Sequence, residues 1–178
     1  MVDLVIRPAA DADADGDAIA ELMALAFAEY EGCIFDRAAE FPELDAIASH
    51  FAARNGAIWV AELDGAVVGS LAIAPSRDAG RPPGAMEITK VYVARAVRRR
   101  GVARALFTRA LALAEQRGAP QVHLWTDTRF VDAHRFYESC GFERSAGARE
   151  LRDLSATWEY PYCLALSTAA SPVASLEN

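Results

Sequence analysis

The chain reads as an α/β fold in which a mixed central sheet is flanked by helices, and three features of the sequence say so. Apolar residues recur at helical spacing in some stretches and alternate in others, with strands crowded at the front and a strand–helix–strand–helix order at the back. AIWVAELDGAVVGSLAIAP holds two apolar runs joined at Leu63-Asp64-Gly65, the pattern of a β-hairpin. MEITKVYVA, Met86 to Ala94, is apolar on both alternating faces, as a strand covered on both sides must be.

The elements follow in order. VDLVIR, Val2 to Arg7, is a first strand ended by Pro8. The polar ADADADGD offers Asp15 or Asp17 as a helix cap, because a short side-chain oxygen can accept from the unpaired amides of a first turn. Ile19, Leu22, Met23, Ala26 and Phe27 then form the apolar face of a helix reaching about Tyr30. A less regular stretch, EYEGCIFDRAAEFP, leads to a second helix carrying Leu44, Ile47, Ala48 and Phe51. After the hairpin, SRDAGRPPG is a loop. The central strand is followed by a helix with Val102, Leu106, Ala110 and Leu113 on one face, closed by Gly118 and Pro120. QVHLWTDT, Gln121 to Thr128, is a further strand. DAHRFYESCGF forms a short helix from about Asp132 that stops at Gly141, and TWEYPYCLAL alternates as a last strand, which Pro161 marks as an edge. STAASPVASLEN is too poor in large apolar residues to pack, so residues 1–167 are expected to form one domain and 168–178 a disordered tail.

Composition narrows the function classes. A chain of 178 residues can bury about 70% of its unfolded surface without staples. No apolar run approaches the roughly 20 residues that cross a bilayer. MVDLVIRPAADADADGD turns acidic where an export signal needs an apolar core, so a cytoplasmic protein without a membrane partner is expected. Cys33, Cys140 and Cys163 are widely spaced and odd in number, which suits a reducing compartment and provides no metal-type pair; no metal is expected. The net charge of -7 argues against a nucleic-acid partner.

One stretch runs against that acidic balance. From Ile88 to Ala114 there is no Asp or Glu, while Lys90, Arg95, Arg98, Arg99, Arg100, Arg104 and Arg109 all fall there, around Gly101. This is a strand, a tight turn and a helix start. The first amides of a helix lack partners and carry the positive end of its dipole, a glycine lets an anion approach the backbone, and arginines add forked donors. Such a seat suits a phosphate or pyrophosphate. The chain has no glycine-lysine-serine/threonine run here and no three-glycine fingerprint after its first strand, so nucleotide P-loops and dinucleotide folds do not fit. A solvated arginine-rich helix face is the plainer alternative, and it is the one preferred for Arg95 and Arg109.

Arg98-Arg99-Arg100-Gly101-Val102-Ala103 resembles the Arg/Gln-x-x-Gly-x-Gly/Ala signature of the GCN5-related N-acetyltransferases, the GNAT superfamily. VYV in the preceding strand supports the resemblance. So does AHRFYESCGF one strand further on, where that family carries an alanine, a tyrosine and a glycine-phenylalanine. The resemblance implies a mostly antiparallel sheet and acetyl-CoA as co-substrate. Backbone groups of Val91, Tyr92 and Val93 would pair with the pantetheine arm as an added strand. The amides from Arg98 through Arg99, Arg100, Gly101, Val102 and Ala103 to Arg104 would cradle the pyrophosphate, with arginine side chains near the nucleotide phosphates and Ala133 at the family's alanine. A homodimer paired through the sheets or last strands is also what the family implies.

Acetyl transfer to an amine needs a neutral nucleophile, a stabilised oxyanion and a proton for the departing thiolate. Tyr137 falls at the family's tyrosine and is protonated at neutral pH, ready to donate to the sulfur; otherwise it is a core tyrosine with a satisfied hydroxyl. Glu87, a carboxylate in an apolar strand eleven residues before Arg98, matches the register of the general base in the histone-modifying branch. Burial would raise its pKa towards the working pH; the alternative is a salt bridge with Lys90 or an arginine. The asparagine often found seven residues before the tyrosine is Phe130 here, with Asp127, Thr128 or Arg129 as the candidates to substitute for it. His134 is read as a helix-surface residue beside Ala133, and His50 and His123 as structural.

In this fold EYEGCIFDRAAEF and ERSAGARELRDLSATWEY would wall the acceptor pocket. Glu29, Glu31, Asp36 and Glu40 suit a cationic amine, with Tyr30, Phe35 and Trp158 against its apolar part; Arg144, Arg149 and Arg152 suit a carboxylate. The expected activity is transfer from acetyl-CoA to a primary amine, of a small molecule ahead of a protein. Use of another acyl-CoA, or a non-catalytic CoA-binding sensor, are the alternatives.

Overall fold

The computed structural model describes residues 4–167, so the start of the expected first strand and the expected tail at 168–178 lie outside the described residues. Among the described residues there are eight strands: β1 (Leu4–Pro8), β2 (Ala57–Leu63), β3 (Ala66–Pro75), β4 (Met86–Val93), β5 (Gln121–Asp127), β6 (Glu143–Arg144), β7 (Arg149–Glu150) and β8 (Trp158–Ala165). The helices are α1 (Asp15–Phe27), α2 (Arg37–Glu40), α3 (Ile47–Ala53), α4 (Val102–Gln116) and α5 (Val131–Ser139). The sheet runs β1-β2-β3-β4-β5-β8-β6, with β7 also on β8, and every pairing is antiparallel except β4 with β5.

Two cores lie on the two faces of this sheet, as strands apolar on both sides require. On β3, Leu71 and Ile73 face α4 and α5 together with Met86, Ile88, Leu106, Phe107, Val122 and Leu124. Ala72 and Ala74 face α1 and α3, packed with Ile19, Met23, Ile47 and Phe51. Phe107 is 2% exposed, and truncating it to alanine would cost roughly 3–5 kcal/mol. Gly69 is where α4 crosses the sheet: a Cβ there would stand 3.0 Å from Val102 Cγ1 and 3.3 Å from the Tyr92 carbonyl oxygen. A larger residue would push the start of α4 away from β3.

Local chemistry differs from the sequence expectation in two elements. Neither Asp15 nor Asp17 caps α1, whose N-cap is Ala14 in the left-handed region. Asp15 is instead buried at the first helical position, where its carboxylate accepts from Ala10 N (2.8 Å) and is gripped by Arg7 (2.7 and 3.0 Å). A buried carboxylate needs that pairing, and Arg7 on β1 is the cation within reach. The last strand is also not an edge: β8 lies between β5 and the short β6 and β7. Pro161 is tolerated because its carbonyl faces the short strands, accepting from Ser145 N at 2.9 Å. In an extended strand its nitrogen faces the same way, so the missing N–H is not one that β5 needs.

β4 breaks its own regularity in the middle. Lys90 has φ 55°, and the β3–β4 register shifts between Ser70 and Ala72. Ser70 Oγ donates to the Lys90 carbonyl at 2.8 Å and holds this bulge. A left-handed lysine costs roughly 1–2 kcal/mol and bends the strand. Parallel pairing with β5 is accordingly confined to Met86–Ile88 against Val122–Leu124. Beyond it the two strands part.

Candidate active site

The parting of β4 and β5 opens a cleft of about 590 Å³. Val91, Tyr92 and Val93 form one wall, the start of α4 a second, and α5 a third. Val91 to Val93 pair with β3 on one side, at Ser70–Tyr92 and Gly69–Val93, while their β5 side is beyond the end of the parallel ladder. A backbone edge is thus presented to the cleft. At its far end the chain turns through Arg99 (φ 63°) and Gly101 (φ 84°) into α4. The Ala105 amide makes the first intrahelical bond, to the Gly101 carbonyl at 2.9 Å, so the preceding amides of Val102, Ala103 and Arg104 point outward without helical partners. No acidic residue occupies that first turn. Gly101 lines the cleft, and a Cβ there would meet no atom within 4 Å, so any side chain would enter the open space.

A second cavity of about 340 Å³ lies on the other side of the same opening. Val91, Tyr92, Phe130 and Tyr137 line both spaces and mark their junction. Tyr137 comes from α5 and is 5% exposed; burial pushes its phenol pKa well above the ordinary value, and a hydrogen bond with Thr126 only partly offsets this. Glu87 projects into the second cavity from β4. Burial raises its carboxyl pKa, Arg149 opposing, and no hydrogen bond or ion pair holds it among the described residues. The alternative of a Glu87–Lys90 bridge does not occur: Lys90 Nζ pairs with Glu43 at 2.6 Å and lies over the Phe41 ring.

Of the residues expected to bind a cofactor, Val91, Tyr92, Val93, Arg98, Arg99, Gly101, Val102, Ala103, Arg104 and Ala133 line the cleft; Arg100 is exposed outside it. The Arg98 guanidinium is engaged elsewhere, donating to both Glu29 oxygens (2.7 and 2.6 Å) and to the Val93 carbonyl (3.1 Å). It ties the end of α1 to β4. His134 is likewise a tie: Nε2 bonds the Asp127 carbonyl (2.8 Å) and the ring stacks on Tyr162. His123 is fully buried against Ser76 Oγ (2.7 Å), and burial pushes its pKa down to about 4. Phe130, at the position of the family asparagine, packs on Tyr30 with ring centroids 4.6 Å apart and planes tilted by 38°. Asp127 is clamped by Arg129 at 2.6 Å, so that acid–base pair is internally satisfied.

The expected acceptor walls sort differently from the sequence grouping. Of Glu29, Glu31, Asp36 and Glu40, only Glu40 lines the smaller cavity. Glu29 belongs to Arg98, and Asp36 caps α2 by accepting from Ala39 N. Of the three arginines only Arg149 lines it; Arg144 lies on the Tyr160 ring and Arg152 is exposed. Trp158 is half exposed and off the wall. Phe41, Asp153 and Glu159 line it from within the two segments expected to wall the pocket, though they were not named individually, whereas Trp125 and Phe27 come from outside those segments, Phe27 from a recognised helix face. No spacing in the chain marks Trp125. Among the described residues no group of three His, Cys, Asp or Glu is arranged to hold a metal, and no helix is long and apolar enough to cross a membrane.

Comparison with known proteins places this architecture. YjgM of Escherichia coli (strain K12), an uncharacterised N-acetyltransferase, is 33% identical over 131 residues, covering 72% of this chain and 77% of that protein. Human N-acetyltransferase 8 is 31% identical over 101 residues, which are 57% of this chain and 44% of the relative, so the chain spans less than half that protein's length. The fold matches the structure of yncA from Salmonella typhimurium with its cofactor acetyl-CoA, at TM-score 0.72 and 23% identity over 96% of this chain and 98% of that one. It also matches an acetyltransferase from Streptococcus agalactiae 2603, at TM-score 0.74 and 20% identity over 92% and 98%. The family model for the acetyltransferase (GNAT) family matches residues 19–142, across α1, the bulged β4, the start of α4 and the Tyr137 helix, and the chain belongs to that family.

Proposed function

We propose that the chain is an N-acetyltransferase that moves the acetyl group of acetyl-CoA directly to a primary amine held in the smaller cavity. The observation that carries this is the meeting of two spaces at Tyr137: a cleft with a free backbone edge and a helix start, and a cavity containing an unpaired carboxylate. The cleft fits a CoA ester on its own features. Gly101 leaves open space where a side chain would intrude, the α4 amides are unpaired, and no acidic residue stands in the first turn of α4; Asp132, on the α5 wall of the cleft, faces Arg135 at 3.6 Å. The yncA structure, with its cofactor acetyl-CoA, supports the same reading.

When bound, the thioester supplies an activated acetyl carbon. The residues of this chain do the rest. Val91 and Val93 offer backbone groups to an extended arm, and the amides of Val102 to Arg104 receive the diphosphate. Tyr137 stays a neutral phenol because burial disfavours its anion, so it keeps a proton to give to the departing sulfur. Glu87, raised by burial, takes the amine's proton through water. Exclusion of bulk water by Phe27, Tyr30 and Phe130 around the junction favours transfer to the amine over hydrolysis.

The test is calorimetric titration with acetyl-CoA, followed by thiol release in the presence of a broad panel of primary amines. One-site binding and amine-dependent release are expected. Binding without release on any amine would favour the CoA-sensor reading, and no binding would remove the cofactor seat.

A further inference from the structure

Resting on the acetyltransferase reading, we propose that the acceptor is a diamine: an aliphatic chain whose reacting nitrogen lies at the Glu87–Tyr137 junction and whose second nitrogen, as an ammonium, is received by Glu40 and Asp153. The sequence leaves a cationic and a carboxylate-bearing acceptor both open. The cavity separates them. Its wall carries five carboxylates, Glu40, Glu87, Asp127, Asp153 and Glu159, against two cations, Lys90 and Arg149.

The pairing pattern matters more than the count. Both cations are already neutralised. Lys90 is held by Glu43 at 2.6 Å and by the Phe41 face. Arg149 gives Nε and Nη2 to Glu159, each at 2.7 Å, and lies on Trp125 with its guanidinium 4.0 Å from the ring centroid. Asp127 is neutralised by Arg129. Glu87, Glu40 and Asp153 remain without a cation among the described residues, so a carboxylate-bearing acceptor would meet repulsion and no free partner.

Glu40 and Asp153 come from two elements that meet at the cavity, the end of α2 and the loop between β7 and β8. They are built into one another's neighbourhood. Glu40 Oε1 accepts from Leu154 N at 2.7 Å, and Asp153 Oδ1 accepts from Thr157 N at 2.8 Å. Each bond orients a carboxylate while leaving its second oxygen unbonded among the described residues. Between these acids and the junction the wall is aromatic: Phe27 stands 6.0 Å from Phe41, 6.3 Å from Tyr92 and 6.2 Å from Phe130 between ring centroids. Such a surface takes methylene groups and rejects a polar spacer. A neutral amine at one end and an ammonium at the other is the chemistry this gradient recognises.

The experiment is steady-state acetylation by the full chain with diaminobutane, diaminopentane, butylamine, alanine and a short lysine peptide. The diamines are expected to exceed butylamine and alanine in kcat/KM by tenfold or more. Glu40→Gln and Asp153→Asn, which keep an acceptor for Leu154 N and Thr157 N, should each raise the diamine KM by about 10- to 100-fold, the loss expected of a charge-assisted hydrogen bond. Their kcat, the butylamine KM and Tm should stay within experimental scatter of the parent, which a merely structural role would not allow. Turnover of butylamine or alanine as good as that of the diamines overturns the proposal and leaves the acetyltransferase reading standing, as does preference for the peptide. Failure of every amine with a protein that binds acetyl-CoA overturns both.

Discussion

The larger cleft and the smaller cavity share four wall residues, Val91, Tyr92, Phe130 and Tyr137, yet the groups they offer a ligand differ. What the cleft offers a phosphate ester is backbone, a strand edge freed by a bulge and a helix start turned through Gly101, within side-chain walls from α1 and α5. Its most prominent side chain, Arg98, faces Glu29 rather than the open space. The cavity is mostly side chains, delivered by α1, α2, β4, β5, α5, β7, β8 and the loop before β8. A backbone site depends on a short run of chain and tolerates changes in its surroundings; a side-chain site changes character with each pairing. This is why one fold can keep a common co-substrate while its acceptor varies.

If the cleft is a backbone seat, the most damaging change is one that fills it. Gly101→Glu should abolish detectable acetyl-CoA binding in calorimetry, placing a carboxylate where the helix start receives phosphate. The left-handed backbone adds a cost of about 1–2 kcal/mol, seen as a Tm lower by a few degrees with the fold retained. Normal binding by this variant would mean the seat lies elsewhere.

Tyr137 stands at the junction, and there the two regions should respond separately. Tyr137→Phe should lower kcat by about 100-fold or more while the acetyl-CoA Kd changes by less than about threefold. Unchanged turnover would take the phenol out of the chemistry and leave it as core.

Glu87 belongs to the cavity alone. Its folded pKa is raised above the unfolded 4.5, so the folded state holds the proton longer. Its contribution to stability therefore falls as pH rises from about 4.5 through the raised value. Glu87→Gln should remove that slope, leaving Tm at neutral pH equal to or above the parent's. The same variant should lose the acidic limb of the kcat/KM profile and about tenfold or more of its rate. A superimposable pH–rate profile would remove Glu87 as base.

The smallest effect tests the material of the cleft most directly. Arg98 is bonded to a half-buried Glu29, and such partly exposed pairs contribute roughly 0.2–1 kcal/mol. Arg98→Ala should therefore lower Tm by only a few degrees and weaken acetyl-CoA by about threefold or less. A loss of affinity near that of Gly101→Glu would show that Arg98 leaves Glu29 to meet the phosphates, and the contrast between backbone and side-chain sites would fail.

Particular elements show how far the sequence carried. The hairpin turned at Asp64-Gly65, β4 and α4 stand where their periodicity put them, because alternation and helical spacing report burial directly. The signature from Arg98 to Ala103 was legible for the same local reason. Other features needed the fold. Asp15 has the chemistry of a cap, but the proximity of Arg7 makes it a buried ion-pair partner instead. Pro161 marks an edge in any isolated strand, and only the broken pairing with β6 and β7 lets it sit inside the sheet. The left-handed Lys90 that parts β4 from β5 has no signal of its own, since lysine has no preference for that conformation.

The sequence by itself determined the helix faces, the double-sided sheet and the glycine turn into α4 that is proposed as the anion seat, because each is encoded within a few turns or one strand of chain. Tertiary structure alone decided which charges stay free. Glu40 meets Leu154 across 114 positions and Arg98 meets Glu29 across 69. Whether an acid is neutralised or left to recognise a ligand depends on its distance in space from a cation, with which the attraction weakens as Coulomb's law requires, and that distance is not written in the order of residues.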